Sequence, residues 1–421
     1  MARLLRFVRS LPGRIPTPLR RAAIPLLVLA FMAASAAAVL LFDTTRTDLD
    51  VFFWPSAETA AHGHPLLLYA SSSGLYPDAN GPVSLLPLSL VALVANALSW
   101  EGSMHLRDAL TVGVFAVFPL LLVREAVLAV EAGRGRPSPR LLVSAVFLLA
   151  PSLWVALIGF GHIEQPLELW LILLGVRLLG RGATVRAGIC LGLAVTTRSV
   201  AAICLVPLLA ALLFDRRVRS GLALVGGAAL TAALVIAPFW LANHSQVLFS
   251  LVTYRGALPI VGGSLWVAFP AGAWAGFVQH WDTLLFAGAA LLLSVAVLAW
   301  RPHEAWAPPQ VYGLLAVAAA CVPMLAKTSW PYYLLDPYVF AAIWWLGRPG
   351  RALGWRVSAP LLLGAGGIVL AAVEPTLPLP PTPGAADGIL ASAGMGVVIA
   401  IILVEWLRLP ARRRPAAGAG A

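Results

Sequence analysis

Two carboxylates, Asp48 and Asp50, stand in the polar segment 43–82, which follows the first long apolar stretch of the chain. Residues two apart lie on opposite faces of a strand, or about 200° apart on a helix, so we expect the two side chains to do different work. Either could be a general base that takes a proton from an acceptor hydroxyl. The alternative is that one of them only caps the helix that contains residues 57–61. Because carboxylates among apolar residues at a membrane surface are costly, we interpret segment 43–82 as the edge of an active site.

His162 and Glu164 occupy the short turn GHIEQP between two apolar stretches. Their side chains could hydrogen-bond sugar hydroxyls or orient a base. The His-x-Glu spacing could also contribute to a metal site, but two ligands alone do not make one, and we expect no metal. The alternative is a solvated loop in which Pro166 opens the next helix.

Arg198 is the only charged residue between Arg186 and Asp215, in a run that is otherwise apolar or weakly polar. A guanidinium in such a place requires an anion. A phosphate group would supply one through bidentate, charge-assisted hydrogen bonds, which predicts that Arg198 binds the phosphate of a substrate. The alternative is an ion pair with a carboxylate on the outer side of the membrane.

Other candidate ligands follow in later turns of the chain. Lys327 and Arg255 could also contact a phosphate, and Tyr332 and Tyr333 could stack on sugar rings. The alternatives are a belt of interfacial aromatic residues with a snorkelling lysine, and for Arg255 a solvated loop charge.

The elements that position these residues are predicted to be transmembrane helices. The chain has 421 residues, of which 60% are hydrophobic and 11% charged, and its mean hydropathy is +0.88. Repeated apolar runs of about 20 residues are typical of membrane spans. The net charge of +11 indicates cytoplasmic arginines rather than nucleic-acid binding. Cys190, Cys204 and Cys321 have no spacing that indicates a disulfide or a metal site.

Arginines precede the first apolar run, so the positive-inside rule places the N-terminus in the cytoplasm and segment 43–82 outside. We predict one transmembrane domain over residues 1–421, with cytoplasmic tails at 1–21 and 408–421 and a second outer loop at 242–282. Residues 83–98 are too short for a full crossing and are predicted to lie in the interface. The fold class is therefore an all-α integral membrane protein, whose roughly 12 spans are predicted at residues 22–42, 104–123, 141–160, 166–180, 187–197, 199–213, 220–241, 283–300, 310–326, 334–346, 357–373 and 388–407.

Several motifs, in order along the chain, are similar to one family of membrane enzymes. DLDVF at residues 48–52 resembles D-L-x-V-Y after the first helix, and GHIEQ at 161–165 stands where a subgroup has G-H-P-E-E. The run from 187 to 198 resembles A-G-x-x-x-G-L-A-x-x-x-K, with Arg198 replacing lysine, and YYLLDP at 332–337 resembles Y-Y-x-L-P. Weaker similarity covers 63–69 and 76–87. The chain thus resembles integral-membrane glycosyltransferases of the GT-C fold, closest to family 87, the polyprenol-phosphate-mannose-dependent mannosyltransferase-like proteins.

This resemblance implies a GT-C-type helix bundle with in-plane helices in the first outer loop. It implies transfer of a sugar, mannose-like or a pentose, from a polyprenyl-phosphate donor to a glycan or glycolipid acceptor on the outer face, with inversion and without a cofactor. Asp48 corresponds to the aspartate taken as the catalytic base. Arg198, Lys327 and Arg255 are the expected phosphate ligands, and the expected sugar or acceptor ligands are Asp50, His162, Glu164, Tyr332 and Tyr333.

Two other classes of protein fit the same sequence. A multi-pass transporter or flippase for an anionic or lipid-linked envelope precursor would also need an intramembrane arginine and outer carboxylates. A non-catalytic membrane scaffold is the third possibility. A transferase predicts that Asp48 and Arg198 converge in one site near the outer surface.

Overall fold

The structure is a computed structural model that describes residues 17–41, 48–70, 80–100, 102–262, 264–269, 272–300, 306, 309–348 and most of 394–406. The described part is all-α apart from one two-residue pairing of parallel strands, β1 (Val261–Gly262) and β2 (Thr328–Ser329). The α-helices in chain order are α1 (Thr17–Leu41), α2 (Trp54–Ala61), α3 (Pro82–Ala97), α4 (Met104–Phe115), α5 (Val117–Arg134), α6 (Arg140–Leu148), α7 (Pro151–Trp154), α8 (Glu164–Gly180), α9 (Thr184–Val195), α10 (Leu205–Phe214), α11 (Val218–Leu248), α12 (Tyr254–Ala257), α13 (Ala273–Trp300), α14 (Gln310–Leu325) and α15 (Leu335–Gly347).

Short helices of other types connect several of these elements. The π-helical segments are Leu49–Phe53, Val155–Phe160 and Phe249–Thr253. The 3₁₀ segments are Pro65–Leu67, Ser199–Cys204, Leu265–Ala268 and Pro331–Leu334. Such segments are frequent at functional sites, and two of them, Leu49–Phe53 and Ser199–Cys204, begin directly after Asp48 and Arg198.

Three helical segments in the described part are long and apolar enough to cross a membrane. They are Met104–Arg134, Val218–Ala257 and Trp274–Trp300, and the pair α6–α7 with its π-helical extension forms a fourth span if its 54° bend is allowed. Shorter apolar helices surround them. The described chain is therefore an all-α protein with several helices suited to a lipid bilayer, while the count of about twelve spans stays a prediction.

Several predicted boundaries differ from the observed ones. The predicted span 141–160 is broken after Leu148, because Pro151 cannot continue the preceding helix. The chain breaks at Asn243 (φ −156°, ψ 75°), next to the predicted start of the loop 242–282, and helical turns continue on both sides of that break to Leu248. Helix α13 begins at Ala273, inside the predicted loop. Residues 83–98 do form a helix, α3, of 16 residues, and its membrane position stays a prediction. The predicted span 357–373 lies outside the described residues.

Helix α14 is the centre of the bundle. All of its residues from Gln310 to Pro323 are buried, and it packs against α13 on one side and α15 on the other. Helices α11 and α13 are the opposite case. In the most apolar 18-residue stretch of their segments, only 17% and 28% is buried inside the protein. Their exposed leucine and tryptophan side chains are suited to contact with lipid.

Two glycines, Gly161 and Gly81, allow close approach between chain segments that carry the candidate site residues. Gly161 has φ +73°, and a Cβ at this position would lie 2.5 Å from the Cβ of Leu49. Gly81 donates its backbone N–H to Thr197 O at 3.0 Å, and a Cβ there would lie 1.7 Å from Thr196 O. Only glycine fits such contacts. The turn of His162 is thereby brought against the residue after Asp48, and the start of α3 against the turn of Arg198.

Candidate active site

Asp48 lies at the position that precedes the π-helical segment Leu49–Phe53, but its side chain makes no capping hydrogen bond. Its Oδ2 instead lies 2.8 Å from Nε2 of His162. The Asp48 side chain is 19% exposed. The capping interpretation is therefore wrong for this carboxylate, which faces the turn between the π-helical segment Val155–Phe160 and α8.

His162 is buried and lies between two carboxylates. Its Nδ1 is 2.5 Å from Oε1 of Glu164, while Nε2 meets Asp48. Burial alone would lower the pKa of His162, but the negative charges and hydrogen bonds of Glu164 and Asp48 outweigh it and raise the pKa to about 9. The imidazole is therefore charged at neutral pH, and each ring N–H donates to one carboxylate.

Aromatic rings enclose His162. The ring centroid of Tyr332 lies 3.8 Å from that of His162, and the edge of Phe53 lies against the imidazole at 5.4 Å. Tyr333 follows and lies 5.9 Å from the guanidinium carbon of Arg198. The predicted sugar-stacking face of Tyr332 is thus already covered by the imidazole, whereas Tyr332 and Tyr333 both help to keep water away from the charged groups.

Arg198 is buried beside carboxylates on two helices. Its Nη1 donates to Oε2 of Glu168 at 2.7 Å and lies 3.7 Å from Oδ2 of Asp336. Its Nε lies 3.5 Å from Oε1 of Glu164, the oxygen that also accepts from His162. Asp48 and Arg198 are therefore joined through His162 and Glu164, and the carboxylate pairing that the sequence left open for Arg198 is observed.

Three residues around Arg198 and His162 were not predicted as site residues from the sequence, namely Gln165, Glu168 and Asp336. Gln165 Nε2 donates to the carbonyl oxygen of Tyr332 at 2.9 Å and to Oδ1 of Asp336 at 2.7 Å. Glu168 lies four residues after Glu164, so both carboxylates lie on one face of α8. A second acid at this spacing inside an apolar run was the signal that could have identified Glu168.

We refer to Asp48, His162, Glu164, Glu168, Arg198 and Asp336 as the charged network. Three buried oxygens in and beside it have no hydrogen-bond partner in the described part of the chain, namely Glu164 Oε2, Gln165 Oε1 and Glu168 Oε1. Buried acceptors of this kind normally have donors. No three His, Cys, Asp or Glu side chains of the described residues are grouped as metal ligands.

Asp50 is in a different environment from Asp48. Its carboxylate pairs with Arg107 on α4, and the guanidinium of Arg107 lies 4.9 Å from the centre of the Trp54 ring. The two aspartates therefore have different partners, as their spacing predicts. The structure does not bring Asp50 to the charged network, so its predicted contact with sugar or acceptor is not supported by this geometry.

Lys327 and Arg255 form a second cluster around Asp282. Arg255 Nη2 lies 3.0 Å from Asp282 Oδ2, which also accepts the backbone N–H of Lys327 at 3.1 Å. The Lys327 ammonium is buried and donates to the carbonyl oxygens of Gly256 and Gln279. Burial lowers the pKa of Lys327. No hydrogen bond or ion pair among the described residues joins this cluster to Arg198. The Lys327 ammonium already has two carbonyl partners, and its contact with a phosphate stays a prediction.

The arrangement has the parts that proton transfer from a bound hydroxyl requires. Asp48 is a partly exposed carboxylate, and the imidazole of His162 behind it orients it through a 2.8 Å hydrogen bond to Oδ2. Glu164, Glu168 and Arg198 are almost completely buried, whereas Asp336 keeps 15% of its side chain exposed. A comparison of the chain with models of known protein families and with curated proteins finds no match.

Proposed function

We propose that the protein is a membrane glycosyltransferase that moves a sugar, mannose-like or a pentose, from a polyprenyl-phosphate donor to a glycan or glycolipid acceptor. The observation that supports this best is the state of Asp48. It is the most exposed side chain of the charged network, and His162 holds its Oδ2. Its Oδ1 accepts no hydrogen bond from any residue that the structure describes and is free to meet a substrate hydroxyl.

The chemistry follows from these contacts. The acceptor hydroxyl lies within about 3 Å of Asp48 Oδ1 and gives up its proton as its oxygen bonds to the anomeric carbon. The bond from that carbon to the phosphate oxygen breaks, and the polyprenyl phosphate leaves with the electron pair. His162 donates to Oδ2 of Asp48 and so holds the carboxylate with Oδ1 toward the acceptor. Attack from the face opposite the leaving group inverts the anomeric configuration.

The leaving phosphate needs a fixed positive charge. Arg255 keeps 29% of its side chain exposed, and the neighbouring Tyr254 ring lies 6.5 Å from Phe52, in the segment that follows Asp48. Arg198 is only 7% exposed and already paired. We therefore assign the first contact with the phosphate to Arg255, although it also pairs with Asp282, and keep Arg198 as a second proposed phosphate ligand.

The proposed setting is a GT-C-type bundle of about 12 spans, with both termini in the cytoplasm and Asp48 near the outer surface. The helical character of segment 48–61 supports in-plane helices in the first outer loop. The poorly covered apolar faces of α11 and α13 would be available to the prenyl tail.

The test is a transfer assay with purified protein in lipid nanodiscs and a panel of polyprenyl-phosphate sugars, with release of polyprenyl phosphate as the readout. Asp48→Asn should lower the transfer rate by about 100- to 10,000-fold. Glu131→Gln is the control, because it removes a carboxylate that pairs with Arg140 at 3.0 Å, outside the charged network. Equal rates in Asp48→Asn and wild type would remove Asp48 from the mechanism.

A proton-coupled transporter or flippase is the second candidate, favoured by the buried charges that join Asp48 to Arg198. The same protein in sealed liposomes separates the two functions. A transporter would move a lipid-linked substrate across the bilayer without cleaving it, and a proton gradient would change the rate. A transferase releases polyprenyl phosphate on one side and requires an acceptor.

A further inference from the structure

The bundle contains two buried glutamate–arginine pairs that differ in how their oxygens are used. In the first, Glu125 accepts Arg177 Nε at 2.6 Å through Oε2 and Arg177 Nη2 at 3.2 Å through Oε1. Arg124 Nη1 adds a contact of 3.2 Å to Oε1. In the second, Glu168 Oε2 accepts Arg198 Nη1 at 2.7 Å, but Oε1 has no partner. Only the first pair has the bidentate geometry of an ionised carboxylate.

The surroundings of Glu168 also carry too much negative charge for a buried site. Fully ionised, the charged network holds four carboxylates against two cations, Arg198 and His162. Uncompensated charge away from water is strongly unfavourable, and such groups lose their charge by binding a proton. Within the network, Glu168 and Glu164 are the two carboxylates that are almost completely buried.

The orphaned oxygens indicate where the proton resides. Gln165 Nε2 donates to Tyr332 O and Asp336 Oδ1, so its amide cannot be turned around and its Oε1 must accept. Gln165 Oε1 and Glu164 Oε2 both lack a donor, and they lie one helical turn before Glu168 on α8. A hydroxyl at Glu168 Oε1 would supply the donor that this region lacks.

We propose that Glu168 is a proton-binding site, and that its side chain is a neutral carboxylic acid at neutral pH. Its carbonyl oxygen, Oε2, accepts from Arg198, and its hydroxyl, Oε1–H, donates toward the acceptors one turn earlier. The guanidinium then balances Glu164 and Asp336 rather than Glu168. The inference does not depend on glycosyl transfer.

The groups that control this proton come from every neighbouring element. Arg198 approaches from the turn after α9, Asp336 from α15, and Glu164 from the first turn of α8. Loss of the proton would add a negative charge next to two further acids, Glu164 and Asp336, which share Arg198 with Glu168.

The first experiment compares glutamine substitutions at the two pairs through the apparent Tm of the purified full chain in detergent. Glutamine has the shape and hydrogen-bonding groups of a protonated glutamate, so Glu168→Gln should change the Tm by less than about 2 °C. Glu125→Gln is the matched control. It breaks the two-contact pairing of the buried Glu125 carboxylate with Arg177 and should lower the Tm by about 5–10 °C.

Equal losses of Tm in both variants, or failure of only Glu168→Gln to fold, would show that Glu168 is ionised and overturn the inference. Infrared difference spectroscopy of the wild type in H₂O and D₂O gives an independent readout. A protonated buried carboxyl band that is present at pH 7 and absent in Glu168→Gln supports the site. The inference fails if the wild type has no such band, if the band persists in Glu168→Gln, or if added Na⁺ or K⁺ removes it.

Discussion

Helix α8 contributes to two buried charge clusters of the described bundle, one at each of its ends. Glu164 and Glu168 lie in its first turns, and Arg177 lies in its last turn. This order matches the helix dipole, which favours acids near the N-terminus and cations near the C-terminus. The distance from Glu168 to Arg177 along the axis is about 13 Å. The same helix thus meets a saturated ion pair at one end and an excess of acid at the other.

The difference between the two ends separates structural from functional charge. Arg177 and Glu125 satisfy each other and join α8 to α5, so this pair contributes to helix packing and holds no free group. The charged network leaves oxygens without donors and places Asp48 at a partly exposed edge. A protein retains such an arrangement at the cost of stability when a substrate or a proton uses it.

The largest effect on stability is expected at the Glu125–Arg177 pair, in which both carboxylate oxygens accept hydrogen bonds. Arg177→Ala leaves the buried carboxylate of Glu125 with only Arg124, whose side chain is 66% exposed. Loss of one partner from a buried ion pair costs about 3–5 kcal/mol of unfolding free energy. Denaturation of the purified protein would measure it, with Arg124→Ala as a control expected to cost about 1 kcal/mol or less.

The pair would lose its structural role if Arg177→Ala unfolded at the same denaturant concentration as wild type. A large loss of transfer activity in an Arg177→Ala protein of full stability would show that the end of α8 with Arg177 takes part in function. Either result would remove the contrast between the two clusters.

The second prediction concerns pH. The folded-state pKa of His162, about 9, lies above the ordinary value of 6.5, so the imidazolium stabilises the fold fully below pH 6.5. This contribution is lost as the pH rises toward 9 and amounts to about 3 kcal/mol in total. His162→Gln should therefore flatten the stability profile between pH 6.5 and 9. His280→Gln removes an exposed histidine whose Nδ1 lies 2.9 Å from Gly276 O, and it serves as the control for the histidine-to-glutamine exchange. A profile equally steep in His162→Gln would assign the proton to another group.

Parts of the site could be predicted from the sequence because their signals are local. Arg198 interrupts an apolar run, His162 lies in a short turn between two apolar stretches, and Asp48 lies in the polar segment after the first apolar stretch. A charge next to so much apolar sequence requires a partner or a task. The structure brings these three residues into one network through Glu164. The all-α class followed in the same way from hydropathy.

The remaining features depend on contacts between distant segments, which one sequence does not reveal. Lys327 is a good phosphate ligand by residue type, but the carbonyl oxygens that occupy it come from α12 and α13. Asp336 joins the network only because α15 packs beside the turn of Arg198. The break of the 141–160 span was signalled locally by Pro151, but the angle of the break depends on packing.

The third prediction addresses how the network is aligned. Gly161→Ala adds a methyl group 2.5 Å from Leu49 Cβ, at a residue with positive φ. The strain should cost about 1–3 kcal/mol, and it should move Asp48 away from His162. We expect transfer activity to fall by about tenfold or more in a protein that still folds. Gly135→Ala is the control, because this glycine also has positive φ but nothing lies within 4 Å of its Cβ position. Equal activities in the two variants would show that the alignment does not depend on Gly161.

The smallest effect is expected at Asp50, which makes it the sharpest contrast with Asp48. Asp50 pairs with Arg107, and both side chains keep little exposure, 11% and 13%. Arg107 also lies near Asp108 and over the Trp54 ring, so it keeps favourable contacts when one carboxylate is removed. Asp50→Asn should therefore cost about 1 kcal/mol of stability and change the transfer rate by less than about threefold. The same assay and denaturation series used for Asp48→Asn would measure both. A rate loss in Asp50→Asn as large as that in Asp48→Asn, in a stable protein, would give Asp50 the role of base. The face of the segment Leu49–Phe53 that carries Asp50 would then be the one that meets the substrate.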